Sequence, residues 1–162
     1  MGSEMCIRDR AGGSLPAGIY QATISFIAPS GEESGAIKPV SATVPENGSL
    51  TISGIQVSAG YSTAVYLSPP NGDVLFRIAK TTSAALPTIT IQPQTDKARA
   101  RTILLSRIPP GQIVRYADGR LIVASGNILY YSELFAPTLH NPAKNYIPVS
   151  YTHLRAHETP EH

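Results

Sequence analysis

The sequence predicts an all-β chain, on three observations. Gly 13 and Pro 14 among 162 residues place turns at short intervals. The segments between them alternate apolar and polar residues, as in Tyr20, Ala22, Ile24 and Phe26, which is the period of a half-buried strand. Asp118-Gly119 and Gly126-Asn127 each separate runs rich in Ile, Val, Leu and Tyr, and both dipeptides tolerate the positive φ of a two-residue hairpin turn. The segments are too apolar and too regular for disorder, almost no helix is expected, and no run approaches the ~20 apolar residues of a membrane-spanning helix.

The two ends read differently from the rest. Met5-Cys6-Ile7-Arg8-Asp9 can be encoded ATG TGT ATA AGA GAC, whose reverse complement, GTC TCT TAT ACA CAT, encodes Val149-Ser150-Tyr151-Thr152-His153. Two termini of one gene have no physical reason to encode the two strands of one DNA word, whereas an inverted oligonucleotide at both ends of a sequenced piece of DNA does so. MCIRDR and VSYTHLRAHETPEH resemble translated transposon-adapter sequence at the ends of reading frames from shotgun assemblies. Residues 1–10 and 149–162 are therefore expected to be adapter-derived, disordered and without partners in a core, and residues 11–148 to be a piece of a longer chain. Cys6, Met1, Met5, His153, His157 and His162 all fall in those ends, so cysteine usage says nothing about redox compartment.

Between the ends, Leu15-Pro16-Ala17-Gly18 introduces a strand over Ile19–Ile27, and the polar turn Pro29–Gly35 returns the chain as a second strand over Ala36–Val44. Pro39 places that second strand at an edge or a bulge. Pro45-Glu46-Asn47-Gly48 is a turn, followed by strands over Ser49–Ile55 and Ser62–Ser68. Pro69-Pro70-Asn71-Gly72 closes a hairpin onto Asp73–Lys80, and Leu86–Gln92 is one more strand. Turns 8 to 12 residues apart are the spacing of a small sandwich over residues 11–94. Residues 95–107, with Lys97, Arg99, Arg101 and Arg107, read as a basic connector. No aromatic residues interleave there for base stacking, so a solvated linker is favoured over a nucleic-acid patch.

Pro109-Pro110-Gly111 opens a three-stranded β-meander over Gln112–Glu133, within a segment 108–148 that ends in a proline-punctuated exit from Leu134. Counting from the turns pairs Tyr116 with Leu121, Val114 with Val123, Val123 with Tyr130, and Arg120 with Glu133. One face then carries Val114, Tyr116, Leu121, Val123, Ile128 and Tyr130, and the other Ile113, Ile122, Ala124, Leu129 and Tyr131. A sheet apolar on both faces needs layers above and below it. The meander is therefore expected to be part of a larger β assembly.

Nothing in the sequence points to catalysis or to a cofactor. His140 has no second ligand at metal spacing and reads as a loop histidine. Ser132-Glu133 lies near no base or nucleophile elbow, Glu32 and Glu33 lack calcium spacing, and there is no phosphate-binding glycine loop. Tyr116, Tyr130 and Tyr131 are candidates for an interaction surface, although filling strand faces is the preferred reading of the tyrosines.

Two resemblances complete the reading. The order L-P-A-G-I-Y, alternating strand, G-E-E-S-G and returning strand resembles the last hairpin of fibronectin type III and related immunoglobulin-like sandwiches, with Tyr20 as the corner-anchoring tyrosine. The Tyr66–Phe76 hairpin resembles another hairpin of such modules. The hairpin that closes those domains comes early here, which implies either a permuted domain or first strands lying upstream. The run P-P-G-Q-I-V-R-Y-x-x-G-R-L-x-V-A-x-G-N-x-L-Y-Y-S-E-x-F-A-P-x-L-H-N-P resembles tailed-phage and prophage virion proteins, in which a similar module precedes a propeller-like region; Tyr130 stands where that family commonly has Trp. This resemblance implies a partial propeller-like blade and a non-enzymatic structural or adhesive role in the virion, with other virion proteins, and a host surface glycan or protein, as partners. The alternative from another class is an extracellular or cell-surface carbohydrate-binding or adhesion module of a bacterium. Fold alone does not choose between them.

Overall fold

The computed structural model describes residues 4–149, and every regular element among them is a strand. Six strands fall in a unit that ends at Ile103: β1 (Cys6–Leu15), β2 (Gly18–Ile27), β3 (Val40–Val44), β4 (Gly48–Ser53), β5 (Ser62–Leu67) and β6 (Phe76–Thr81). Six more belong to a unit that starts at Leu104: β7 (Ser106–Arg107), β8 (Ile113–Ala117), β9 (Arg120–Ser125), β10 (Ile128–Tyr131), β11 (Leu139–His140) and β12 (Tyr146–Pro148). The all-β expectation is met.

The first unit is sandwich-like. One antiparallel sheet has the order β3-β2-β5-β6 and the other pairs β1 with β4. Alternation along β2 sends Tyr20, Ala22 and Ile24 inward, where they meet Val65 and Leu67 of β5 and Leu50, Ile52 and Ile55 from the facing layer. Val44 and Leu15 complete this core, and all these side chains are almost entirely out of water. At roughly 1.5–3 kcal/mol per buried large aliphatic side chain, this cluster is the main stabilising element of the unit. Pro39 immediately precedes β3, which is an edge strand, where a missing N–H costs no ladder bond.

The opposite face of the same sheet is covered as well. Ile27, Ala64, Tyr66 and Leu75 form a second cluster against Ala100 and Ile103. Residues 95–103 therefore do not form the linker expected of them. The Ala98 carbonyl accepts the Arg77 amide at 2.7 Å, the Ala100 amide donates to the Leu75 carbonyl at 2.8 Å, and the Thr102 carbonyl accepts the Ala36 amide at 3.0 Å. Ala98 and Ala100 alternate with Lys97, Arg99 and Arg101, so apolar and cationic residues follow strand periodicity, and the Arg99 guanidinium lies over the Phe76 ring at 5.9 Å. Charge alone had suggested a solvated linker. Leu86–Gln92, expected as a strand, makes one isolated bridge, Ile89 with Leu50; Pro87 and Pro93 remove the amides that a longer ladder needs.

The largest departure from expectation is at the amino terminus. Cys6 to Ala11 pair with Ser53 to Gly48, and Met5 is buried. Cys6 to Arg10 are thus strand, with Met5 packed in the core ahead of them, not disordered tail. Ladder hydrogen bonds need only an extended backbone, and Met5 and Ile7 place apolar side chains on the inner side, so this word meets the demands of the β4 edge whatever its origin. Residues 1–3 and 150–162, also expected to be disordered adapter translation, lie outside the described residues, and Val149 donates its amide to the Asn127 carbonyl at 2.7 Å.

In the second unit the three strands of the meander have the expected register: Tyr116 opposes Leu121, Val114 opposes Val123, and Val123 opposes Tyr130. Asp118 and Gly119 have φ of 51° and 77°, the two positive values of a type I′ turn. At the second turn only Gly126 is positive, at 58°, with Asn127 following it, as in type II′. A fourth strand, β12, pairs with β10 and gives a sheet of order β12-β10-β9-β8. The exit segment supplies that strand, and also β11, which pairs with β7 in a separate two-stranded ribbon.

Candidate functional site

Tyr20 sits at the entry to β2. Pro16-Ala17-Gly18 turns the chain so that the phenol of Tyr20, with its ring fully buried, donates to the Pro16 carbonyl at 2.9 Å. Burial, and then the charge of Glu46, raise the Tyr20 pKa above its ordinary value and keep this donor protonated. Glu46 also accepts the Ala17 amide at 3.0 Å. The corner is therefore held from both sides.

Glu33 is the organising carboxylate of the sheet face opposite the main core. Thr23 faces Tyr66 and Ser25 faces Ala64 across β2 and β5, which places Ser25 and Tyr66 on one face. The loop after β2 folds back over that face, and one oxygen of Glu33 accepts from Tyr66 at 2.5 Å and also from the Ser25 hydroxyl. The phenol of Tyr66 is pushed up to about 12, first by burial and then by its hydrogen bond to Glu33 and the charge there. The arrangement pins a loop to a sheet. The Tyr66 phenol donates to Glu33 and cannot act as a base at neutral pH. Its sequence signal was alternation, which places Ser25 and Tyr66 on the outward face of their strands, but the closing carboxylate came from a loop whose return path periodicity does not encode.

In the second unit the three candidate tyrosines do not share a surface. Tyr116 and Tyr130 lie on one face of the sheet and Tyr131 on the other. Tyr116 is 60% exposed, whereas Tyr130 meets the His140 ring edge-on at 5.8 Å, and the Tyr131 hydroxyl donates to the Lys144 carbonyl at 3.1 Å. His140 is itself buried, not a loop histidine in solvent. Its Nδ1 lies 3.1 Å from the Ser106 carbonyl, which can only accept, so the proton sits on Nδ1. Among the described residues no group of three His, Cys, Asp or Glu is placed to hold a metal ion.

The expected Arg120–Glu133 pair is not made. Arg120 donates to the Ser132 carbonyl at 2.8 Å and lies over the Tyr131 ring at 5.5 Å, while Glu133 accepts from the Asn145 amide at 2.9 Å. The ladder ends at Tyr131: the Ser132 hydroxyl takes the Leu121 amide at 2.8 Å in place of a backbone partner, and the chain turns out of register before Glu133.

Coverage of this sheet is thin. Pro109, Pro110 and Pro137 line a groove with Val114, Leu121 and Val123 on one face, and only Val123 there is fully buried. Val114 and Tyr116 on that face remain exposed, as do Ile113 and Ile147 on the other. Leu134 and Phe135 are exposed beyond the Asp118-Gly119 tip, where the Phe135 amide donates to the Gly119 carbonyl at 2.7 Å. These groups are suited to contact. Comparison with family models, with curated proteins and with solved structures gives no match.

Proposed function

We propose that the chain is a non-enzymatic structural or adhesive component of a phage virion, built from a permuted fibronectin III-like sandwich and a blade-like β-meander. The observation that supports the sandwich part of the reading is the Tyr20 phenol held by the Pro16 carbonyl four residues upstream, the corner that marks immunoglobulin-type sandwiches, while the virion role rests on the resemblance of Pro109–Pro142 to tailed-phage proteins. Strand order supports it. In those domains one sheet runs G-F-C-C′ and B pairs with E in the other; β3-β2-β5-β6 matches the first order and β1-β4 the second pair. The chain then reads E-F-G followed by B-C-C′, as a permuted domain would; because residues 6–9, which make most of the E–B ladder, fall in the stretch whose codons mirror residues 149–153, the order of the β3-β2-β5-β6 sheet carries the match. The four-stranded sheet β12-β10-β9-β8, with apolar residues left exposed on both faces, is the form of a unit that stacks against others, as propeller blades do. Other virion proteins are the partners of those faces.

Two measurements test the proposal. Mass spectrometry of particles purified from an induced culture carrying the gene should detect peptides of this chain in step with capsid and tail proteins. Terminase, portal or tail genes should flank it on the full contig. Neighbouring hydrolase or surface-anchor sequences, with no peptides in particles, would overturn the reading in favour of an extracellular bacterial module.

A further inference from the structure

We infer that the cleft between β6 and residues 86–97 is a binding site for a small amphipathic carboxylate, a free single-chain acid whose apolar chain lies along the cleft and whose charge sits at the end held by Arg77 and Lys97. The cleft has a volume of about 420 Å³, within the roughly 300–1,000 Å³ of small-molecule sites, and lies wholly in the first unit. The inference stands apart from the virion reading.

The cleft exists because the two layers of the sandwich are not zipped together on this side. β6 is the last strand of its sheet. Residues 86–89 do not extend that sheet but bind the other one. The Leu86 amide donates to the Ile52 carbonyl at 3.2 Å, and Leu50 and Ile89 exchange amide-to-carbonyl bonds at 2.9 and 2.8 Å. Pro87 and Pro93 lack the amides that a ladder against β6 would need. The chain rejoins β6 at Ala98, whose carbonyl accepts the Arg77 amide at 2.7 Å. β6, residues 86–89 and the loop that follows them therefore wall three sides of an open wedge.

The lining separates into an apolar length and a cationic end. Ile78, Ala79, Leu86 and Ile89 line it, each partly buried against the main core. Ile91 lines it too and is 73% exposed, so an apolar ligand chain would give it the cover that the fold does not. Among the described residues, the only charged groups that line the cleft are Arg77 and Lys97. The bond from Arg77 to Ala98 sets both at the same end. With two cations and no carboxylate there, the lining favours an anion over a neutral or cationic molecule of the same shape.

Titration of the full chain with monomeric sodium decanoate, followed by calorimetry and by amide NMR shifts, tests this. Binding should saturate at one per chain and shift the amides of Ile78, Ala79, Ile89 and Ile91. Ile91→Asp removes apolar cover and adds a like charge, so it should weaken binding at least about tenfold. Because that side chain is 73% exposed, the melting temperature should hardly move. Lys97→Glu should weaken decanoate about threefold or more and leave 1-decanol unaffected, and 1-decanol should bind the unaltered chain at least about threefold more weakly than decanoate. No saturable binding, equal binding of the acid and the alcohol, or an affinity that neither variant changes would overturn the proposal. Shifts confined to the β12-β10-β9-β8 sheet would overturn it in favour of the exposed apolar face there. Capture by vesicles containing phosphatidylglycerol, with no binding of monomeric decanoate, would overturn it in favour of a membrane surface.

Discussion

The sheet β3-β2-β5-β6 and the sheet β12-β10-β9-β8 both have four antiparallel strands, yet they differ in what covers them. In the first, the inner face meets Leu50, Ile52 and Ile55 and the outer face meets Ala100 and Ile103. In the second, Val123 and Ala124 in β9 are the only fully buried side chains of the four strands, and every residue of β8 is exposed. Alternation in sequence says which side chains a strand can bury. Whether anything arrives to bury them depends on segments elsewhere, and here a stretch rich in Lys and Arg does so for one sheet while prolines do so sparsely for the other.

The largest expected effect is on the first unit. Deleting residues 1–10 removes the buried Met5 and the partly buried Ile7 from the core and uncovers the β4 edge, and should cost roughly 2–4 kcal/mol, since about 1.5–3 kcal/mol applies to a fully buried side chain. Chemical denaturation of the full and shortened chains checks this, and equal midpoints would return those residues to the status of an idle tail. Next, Leu67→Ala should cost about 2–5 kcal/mol, whereas Val114→Ala in β8 should cost under about 1 kcal/mol. Comparable losses would erase the distinction between the sheets. At the hairpin tip, Gly119→Val puts a β-branched residue at φ of 77° with its Cβ 2.7 Å from the Phe135 ring, and should cost on the order of 1–3 kcal/mol. Thermal melting of the variant reads this.

A smaller effect should appear at high pH. The Tyr66 phenol is raised from 10 to about 12 in the folded state, so its contribution is complete below pH 10 and is lost as pH climbs toward 12. The loss should be roughly 1–2 kcal/mol, less than the full linkage value because Glu33 is only half-buried and water screens it. Tyr66→Phe should flatten the stability profile between pH 10 and 12; an unchanged slope would mean that the loop is not pinned there.

Local rules made much of this legible. The hairpin turns, the meander register and five of the first unit's strands followed from turn dipeptides and period-two alternation, because both are properties of neighbouring residues. Arg120–Glu133 failed because counting from a turn assumes that the ladder continues, and Ser132 ends it with its own hydroxyl. Residues 95–103 were misjudged because their charges were weighed and the alternating Ala98 and Ala100 were not. Glu33 was dismissed as a calcium ligand with its structural role unseen, since loop return paths leave no periodic trace. The ordering of residues 4–10 could not be read from their origin, because a sheet edge pairs with backbone.

The most direct test of the difference between the two sheets is hydrophobic-dye binding, with mass in solution, for the intact chain and for Val114→Lys combined with Tyr116→Lys. Large exposed apolar patches on a sheet with open edges recruit dye or another chain. The intact chain should bind dye or self-associate, and the double variant should do so much less while its unfolding midpoint hardly moves. A monomeric, dye-silent intact chain would mean that the β12-β10-β9-β8 sheet is already covered, and would contradict the account.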